Sequence, residues 1–188
     1  MRATWALFAV LGCTSSRPPL ACPVRSDAAV RVEKSVVEYD VDGATFEAFV
    51  ERARVKPASR IVDDETLAVG VTEARFCVAY DPEPFSGGCR LTTPVVGLSA
   101  RILLPRWTAA PHDPTRYKAW RDAVAAHEEG HYAIDLHAAR TIHAALSTLP
   151  PQPDCGLLIG RASIVVEQIL NDTRARNREW DRTHSELP

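Results

Sequence analysis

Two histidines four residues apart are the first residues in this sequence that could do chemistry together. The segment AAHEEGHYAIDLHAA, residues 125–139, contains His127 and His131, with Glu128 between them. On an α-helix each residue is rotated by about 100° around the helix axis from the one before it. Side chains four residues apart therefore project side by side. The two imidazoles can therefore converge on one ion, while Glu128 is turned aside, where a carboxylate can take a proton from water.

The segment around these residues has the signals of a long helix. Asp113 is a capping residue, followed by proline at the first helical position, and helical spacing continues to about Leu146, where LPPQPDCG ends it. Both histidines lie on the apolar stripe, so we predict that they face inward rather than toward solvent. The stripe consists of Tyr117, Trp120, Val124, His127, His131, Ile134, Ala138 and Ile142.

His-Glu-x-x-His on a helix is the zincin pattern, which predicts zinc chemistry. In that pattern the histidines bind Zn²⁺ and the glutamate acts as general base and then general acid in hydrolysis. We therefore assign the metal to His127 and His131, and the catalytic role to Glu128. Gly130 costs the helix about 1 kcal/mol, which predicts that another segment approaches closely there.

The other elements predict an α+β protein, with a small antiparallel sheet packed on two long helices. The valine-rich VEKSVVEYDVDG reads as a strand ending in a turn, and ATFEAFVERARV as a short helix. TLAVGVTEARFCVAY and RLTTPVVGLSARILLP read as strands separated by the turn-rich DPEPFSGG. LLIGRASIVVEQILNDTRARNREWDRT then reads as a second long helix.

The N-terminus has the composition of an export signal. One basic residue is followed by an apolar run from Ala3 to Gly12, shorter than the roughly 20 residues that span a bilayer. Residues 1–22 are predicted to be the signal, of lipoprotein type if Cys13 is acylated and so anchors the chain to a membrane. Residues 23–188 then form a single zincin-like domain in the periplasm, on the envelope or outside the cell.

The composition limits which partners the chain is expected to bind and which disulfides it can form. The net charge of −2 gives no general attraction to nucleic acid, so none is expected as a partner. An exported chain normally pairs its cysteines. If Cys13 is acylated, four cysteines remain; Cys77 and Cys89 flank the predicted turn and could close a hairpin, which leaves Cys22 with Cys155.

Most of this chain resembles a bacterial family of predicted secreted zinc-dependent proteases, the domain of unknown function DUF922. The resemblance rests on HEEGHYAIDLHAAR, on LLPRW before it, and on NREWDRTH near the C-terminus. It extends from the VEYDVDGAT strand to the tail, and it implies export, zinc and proteolysis. Its aromatic-Asp and Thr-His tail motif implies metal-site roles for Asp181 and His184.

Four residues are candidates for the third zinc ligand. His137 has the metzincin spacing from His127, and Glu167 on the second long helix could act as in gluzincins. The tail motif of the resembled family favours His184, with Asp181 close behind because imidazole is the commoner ligand. The other tail residue would then support a ligand or the transition state. His143 lies off the stripe and is expected to be structural.

These observations favour an exported zinc metallohydrolase that acts on peptides or proteins. The first alternative is a non-catalytic, zinc-stabilised protein of envelope binding or assembly, whose metal would be closed by four protein ligands, including both Asp181 and His184. The second is a metal-free envelope module with His127 and His131 as core residues. Metal content and the effect of replacing Glu128 distinguish these hypotheses.

Overall fold

The structure, a computed structural model, describes residues 29–55, 69–109 and 113–184 and confirms the α+β class. Its elements are β1 (Val30–Val41), α1 (Phe46–Val55), β2 (Val71–Phe85), β3 (Gly88–Trp107), α2 (Pro114–Ser147) and α3 (Cys155–Thr183). The small sheet and the two long helices were predicted. The predicted export signal, together with Cys13 and Cys22, lies outside the described residues.

Each helix in the described part of the chain begins beside a capping side chain. Thr45, Asp113 and Asp154 each accept a hydrogen bond from the backbone N–H three residues later, at 3.2, 2.9 and 2.9 Å. Such bonds satisfy N–H groups that have no partner within the helix. Helix α2 therefore begins at the predicted proline, and α2 and α3 follow the predicted bounds closely.

The sheet is mixed, so the prediction that it is antiparallel was wrong in one pair of strands. The strand order is β1-β3-β2. The N–H of Val96 donates to Ala29 at 3.1 Å and the N–H of Thr108 donates to Val41 at 3.0 Å, so residue numbers rise together along β1 and β3. These two strands are parallel because α1 and β2 separate them in the chain, which leaves room for a crossover.

The turn between β2 and β3 is shorter than the sequence suggested. The predicted turn-rich segment spans residues 81–88, but β2 continues to Phe85 and only Ser86 and Gly87 form the turn. Two prolines of this segment therefore lie in a strand. Since β2 is at the edge of the sheet, residues without a backbone N–H need not break a ladder there.

The predicted cysteine pairing was wrong. Cys89 is bonded to Cys155, 66 residues away in sequence, and Cys77 is disulfide-bonded to a residue other than Cys89. Cys77 lies eight residues before the end of β2 and Cys89 is the second residue of β3. At about 3.3 Å per residue this separation exceeds the reach of a disulfide several times over. Cys89 instead pairs with Gln152 in a β-bridge, which brings it to the start of α3.

The described residues fall into two compact units, each assembled from separate parts of the chain. One contains 29–33, 75–99 and 134–178, including the Cys89–Cys155 disulfide. The other contains 34–55, 69–74, 100–109, 113–133 and 179–184. Within the described ranges, no helix has the length and apolar character to cross a membrane.

An aromatic cluster forms the core of the second unit. The rings of Phe49 and Trp107 stack with centroids 5.2 Å apart, and Trp120 meets Phe49 edge-on at 5.3 Å. The indole N–H of Trp107 donates to the backbone oxygen of Gly43 at 2.8 Å. Buried apolar side chains complete this core, so the first half of α2 is fixed against strands and α1.

A candidate metal centre

The apolar stripe of α2 brings the His-Glu-x-x-His segment to the aromatic core. Trp120 and Val124 are buried in that core, at 3% and 1% exposure, and His127 follows Val124 by three residues. Because residues three and four apart share a helix face, His127 and His131 extend the same buried stripe. Their side chains are 15% and 14% exposed.

The two imidazoles point toward each other. Their Nε2 atoms are 3.2 Å apart, and the ring centroids are 4.9 Å apart with the planes at 74°. Helix geometry alone accounts for this convergence, since the residues are four apart.

Asp181, near the end of α3, supplies the third atom of the group. Its Oδ1 lies 2.8 Å from Nε2 of His131 and 3.1 Å from Nε2 of His127. The three residues form a group that could hold a metal ion. Of the four candidates for a third ligand, Asp181 is the one that lies beside both histidines.

The spacing and chemistry of these atoms fit a small divalent cation. Ligand atoms on a tetrahedral zinc, at bond lengths of about 2.0–2.1 Å, are about 3.3 Å apart. The observed separations of 2.8, 3.1 and 3.2 Å approach that value. Without a cation, an Asp181 oxygen that accepted from both imidazoles would leave two N–H groups facing each other. A shared cation removes that conflict, because both nitrogen lone pairs then point inward.

Glu128 is held in a separate, buried pocket beside this group. It is only 4% exposed, and the Thr72 hydroxyl donates to its Oε2 at 2.7 Å. A Cβ at position 70 would lie 2.6 Å from Glu128 Oε1 and 2.9 Å from Val124 Cγ1, so only glycine leaves room for the carboxylate. The start of β2 therefore shapes the position of this side chain.

The pKa values of the two carboxyl groups at the centre, Glu128 and Asp181, are shifted in opposite directions. Burial raises the pKa of Glu128, although the Thr72 hydroxyl and the imidazoles of His131 and His127 favour its ionised form. Burial would also raise the pKa of Asp181, but hydrogen bonds from His127 and His131 outweigh it and hold that pKa well below its usual range. Asp181 is therefore an anion suited to binding a cation, whereas the environment of Glu128 favours proton uptake.

Tyr39 packs against the aromatic core, close enough for the charge of Glu128 to act on its hydroxyl. Its hydroxyl donates to the backbone oxygen of Val69 at 2.5 Å. Burial, together with the negative charge of Glu128, raises the pKa of Tyr39 to about 12. A neutral phenol is thus kept beside the carboxylate.

The close approach predicted at Gly130 is present. A Cβ at this position would overlap the indole ring of Trp180, the residue before Asp181. The Trp180 indole N–H also donates to the backbone oxygen of His127 at 3.1 Å. The end of α3 is therefore held against α2 next to the group formed by His127, His131 and Asp181.

The remaining candidates lie outside the group of three. The ring of His184 stacks on Trp180 at a centroid distance of 3.6 Å, and its Nδ1 lies 3.1 Å from the Trp180 backbone oxygen. His137 and Glu167 are exposed, and neither belongs to the group found among the described residues. His143 contacts Ser147 at 3.4 Å, in keeping with a structural role.

Two contributors were not assigned from the sequence. Thr72 is a single hydroxyl in a strand, far from Glu128 in the chain, and nothing in its sequence context points to a carboxylate. Trp180 stands in the tail motif NREWDRTH, but its contact with Gly130 depends on how two helices meet. The unusual mid-helix glycine was the one signal of that contact.

No curated protein and no solved structure is significantly similar to this chain. Residues 36–186, which include the second half of β1 and all of α1, β2, β3, α2 and α3, match the model of one family. The chain therefore belongs to the family described as bacterial protein of unknown function, DUF922.

Proposed function

We propose that this protein is an exported bacterial zinc-dependent hydrolase, a peptidase with a zincin-type helix. In this proposal His127, His131 and Asp181 hold Zn²⁺, and Glu128 is the general base and acid. The substrate is a peptide or protein. The chain acts in the periplasm, on the envelope or outside the cell, and a lipid on Cys13 would anchor it to a membrane.

One observation carries the proposal. Nε2 of His127, Nε2 of His131 and Oδ1 of Asp181 lie within 3.2 Å of one another, next to a buried glutamate on the same helix. Two imidazoles and one carboxylate form a ligand set typical of catalytic zinc, which keeps a fourth position for water. A structural site would require a fourth protein ligand, and the group among the described residues contains three.

The residues of this chain have separable roles in peptide hydrolysis. A zinc ion in this position supplies Lewis-acid activation of water and of the scissile carbonyl. The Thr72 hydroxyl donates to Oε2 of Glu128 and so holds the carboxylate that would accept a proton from the attacking water. Glu128 then returns that proton to the leaving amine. Burial favours this uptake, because it destabilises the charged carboxylate.

The first experiment is metal analysis of the domain purified without chelator. We expect about one zinc per chain, because three ligands and an open position describe one catalytic site. His127→Ala, His131→Ala and Asp181→Ala should each lose the metal, whereas Glu167→Ala should keep it. Full zinc occupancy in the first three variants would reject the site.

The second experiment compares two adjacent carboxylates with a broad peptide library. Glu128→Gln should fold, retain zinc and lose hydrolysis by about 10²–10⁴-fold, which is the usual contribution of general acid–base catalysis. Glu129→Gln is the matched control. Glu129 is half-exposed and pairs with Lys34 at 2.5 Å, so its replacement should leave hydrolysis unchanged.

The alternative is a zinc-stabilised protein of envelope binding or assembly without turnover. That alternative replaces the hydrolase if the wild-type protein binds zinc but cleaves nothing in the library, and if Glu128→Gln changes neither its zinc content nor its fold. If no metal binds, the histidines are core residues and both zinc hypotheses fail.

A further inference from the structure

We propose that Trp180 is a positioning residue for the metal centre, and that Gly130 is the small residue that lets it act. The proposal rests on the zinc site proposed above and adds the feature that sets its affinity. The packing of the Trp180 indole against Gly130, which we call the Trp180–Gly130 lock, positions Asp181 as the third ligand.

The lock consists of a close packing contact and a hydrogen bond. The indole ring occupies the space in which a Cβ of residue 130 would lie, and its N–H donates to the His127 oxygen at 3.1 Å. A ring inserted against helix backbone can shift little without losing both interactions. The lock thus defines how α3 meets α2 at this point.

The position of the Asp181 carboxylate depends on the lock, because few other contacts fix it. It follows Trp180 directly in a helix that continues to Thr183, so its Cα position is tied to that of the indole. Its side chain is 48% exposed, and its hydrogen bonds within the described residues go to His127 and His131. A displaced indole would therefore carry this carboxylate away from the two imidazoles.

Packing contacts are also important for the orientation of the His127 ring. Its Nδ1 is buried and has no hydrogen-bond partner among the residues that the structure describes, whereas a ligating histidine usually donates this N–H to an acceptor that orients the ring. The Trp180 ring lies 6.2 Å from the His127 ring, with the planes tilted by 42°. Trp180 thus contacts one proposed ligand, His127, and directly precedes another, Asp181.

The experiment uses two variants that leave all three proposed ligands unchanged. Gly130→Ala places a methyl group in the space of the indole, and Trp180→Phe keeps an aromatic ring but removes the N–H. Gly160→Ala is the matched control, since no neighbouring atom of the described residues lies within 4 Å of a Cβ at that helical position. Zinc affinity is measured by competition with a chromophoric chelator, and the fold of each metal-free variant by circular dichroism and thermal unfolding.

We expect Gly130→Ala and Trp180→Phe to weaken zinc binding by about 10–100-fold, the usual effect of losing a residue that orients a ligand. Gly160→Ala should bind zinc like the wild type. The visible spectrum of the Co²⁺-substituted protein should also change in the first two variants, because it reports the ligand geometry. If Gly130→Ala does not fold, Trp180→Phe alone decides the outcome.

Wild-type affinity and Co²⁺ spectra in folded Gly130→Ala or Trp180→Phe protein would overturn the proposal, even if their thermal stability fell. That result would leave the zinc site intact, provided that His127→Ala still abolishes binding. Absence of zinc binding by the wild type would instead remove both the site and the lock that supports it.

Discussion

Replacing Thr72 by valine tests whether the start of β2 holds the carboxylate of Glu128 in place. Valine keeps the shape of threonine but removes the hydroxyl that donates to Glu128 Oε2 at 2.7 Å. A hydrogen bond to a charged group contributes about 1.5–3 kcal/mol to stability. Since Glu128 is 4% exposed, water cannot readily replace the lost donor. We expect Thr72→Val to lower the free energy of unfolding by about 2 kcal/mol.

The assay is a double-mutant cycle measured by denaturant unfolding, with a chelator present so that zinc binding does not contribute. Thr72→Val, Glu128→Ala and the double variant are compared at pH 7, and Thr72→Ser serves as the control that retains the hydroxyl. The hydroxyl is also 3.1 Å from the Glu128 backbone oxygen, which survives in the alanine variant. We therefore expect a coupling energy of about 1–2 kcal/mol rather than the full cost. Effects that add to within about 0.5 kcal/mol would show that the Thr72 hydroxyl does not hold the Glu128 carboxylate.

Three further predictions concern other parts of the molecule. Replacing Cys89 and Cys155 together by alanine should lower stability by about 4 kcal/mol, from the loop of 66 residues that the disulfide closes, measured by urea unfolding. Tyr39 should ionise near pH 12, because its folded pKa is raised, so stability contributed by the neutral phenol is lost as the pH rises from about 10 through 12. Its absorbance change at high pH should be missing in Tyr39→Phe. His184→Ala should retain zinc, since His184 lies outside the group of three; loss of metal in that variant would make it a ligand.

Local sequence signals predicted the helices well because the forces that define helices are local. Asp113 caps α2, its apolar residues recur at three and four positions, and prolines follow its end. The convergence of His127 and His131 depends on the same local geometry. These two residues could therefore be placed together without knowledge of any other element.

The errors lie where distant segments had to be paired. Cys77 and Cys89 were matched across a presumed turn, but the register of β2 and β3 separates them, and a bridge to Gln152 brings Cys89 to Cys155. Register depends on side chains from both strands, so turn residues alone do not determine it. The parallel pairing of β1 and β3 was missed for a similar reason.

The amino-acid sequence was sufficient to predict the pair of imidazoles, the glutamate beside them and the close contact at Gly130, since all of these follow from positions on one helix. The residue that completes the group, Asp181, could be chosen among the candidates only from the way the helices pack. His184 and Asp181 are three residues apart, and the choice between them depends on the seat of Trp180 against Gly130. With the indole placed there, Asp181 reaches both histidines while His184 stacks on the indole. Contacts between residues about 50 positions apart arise from helix packing, which no local pattern encodes.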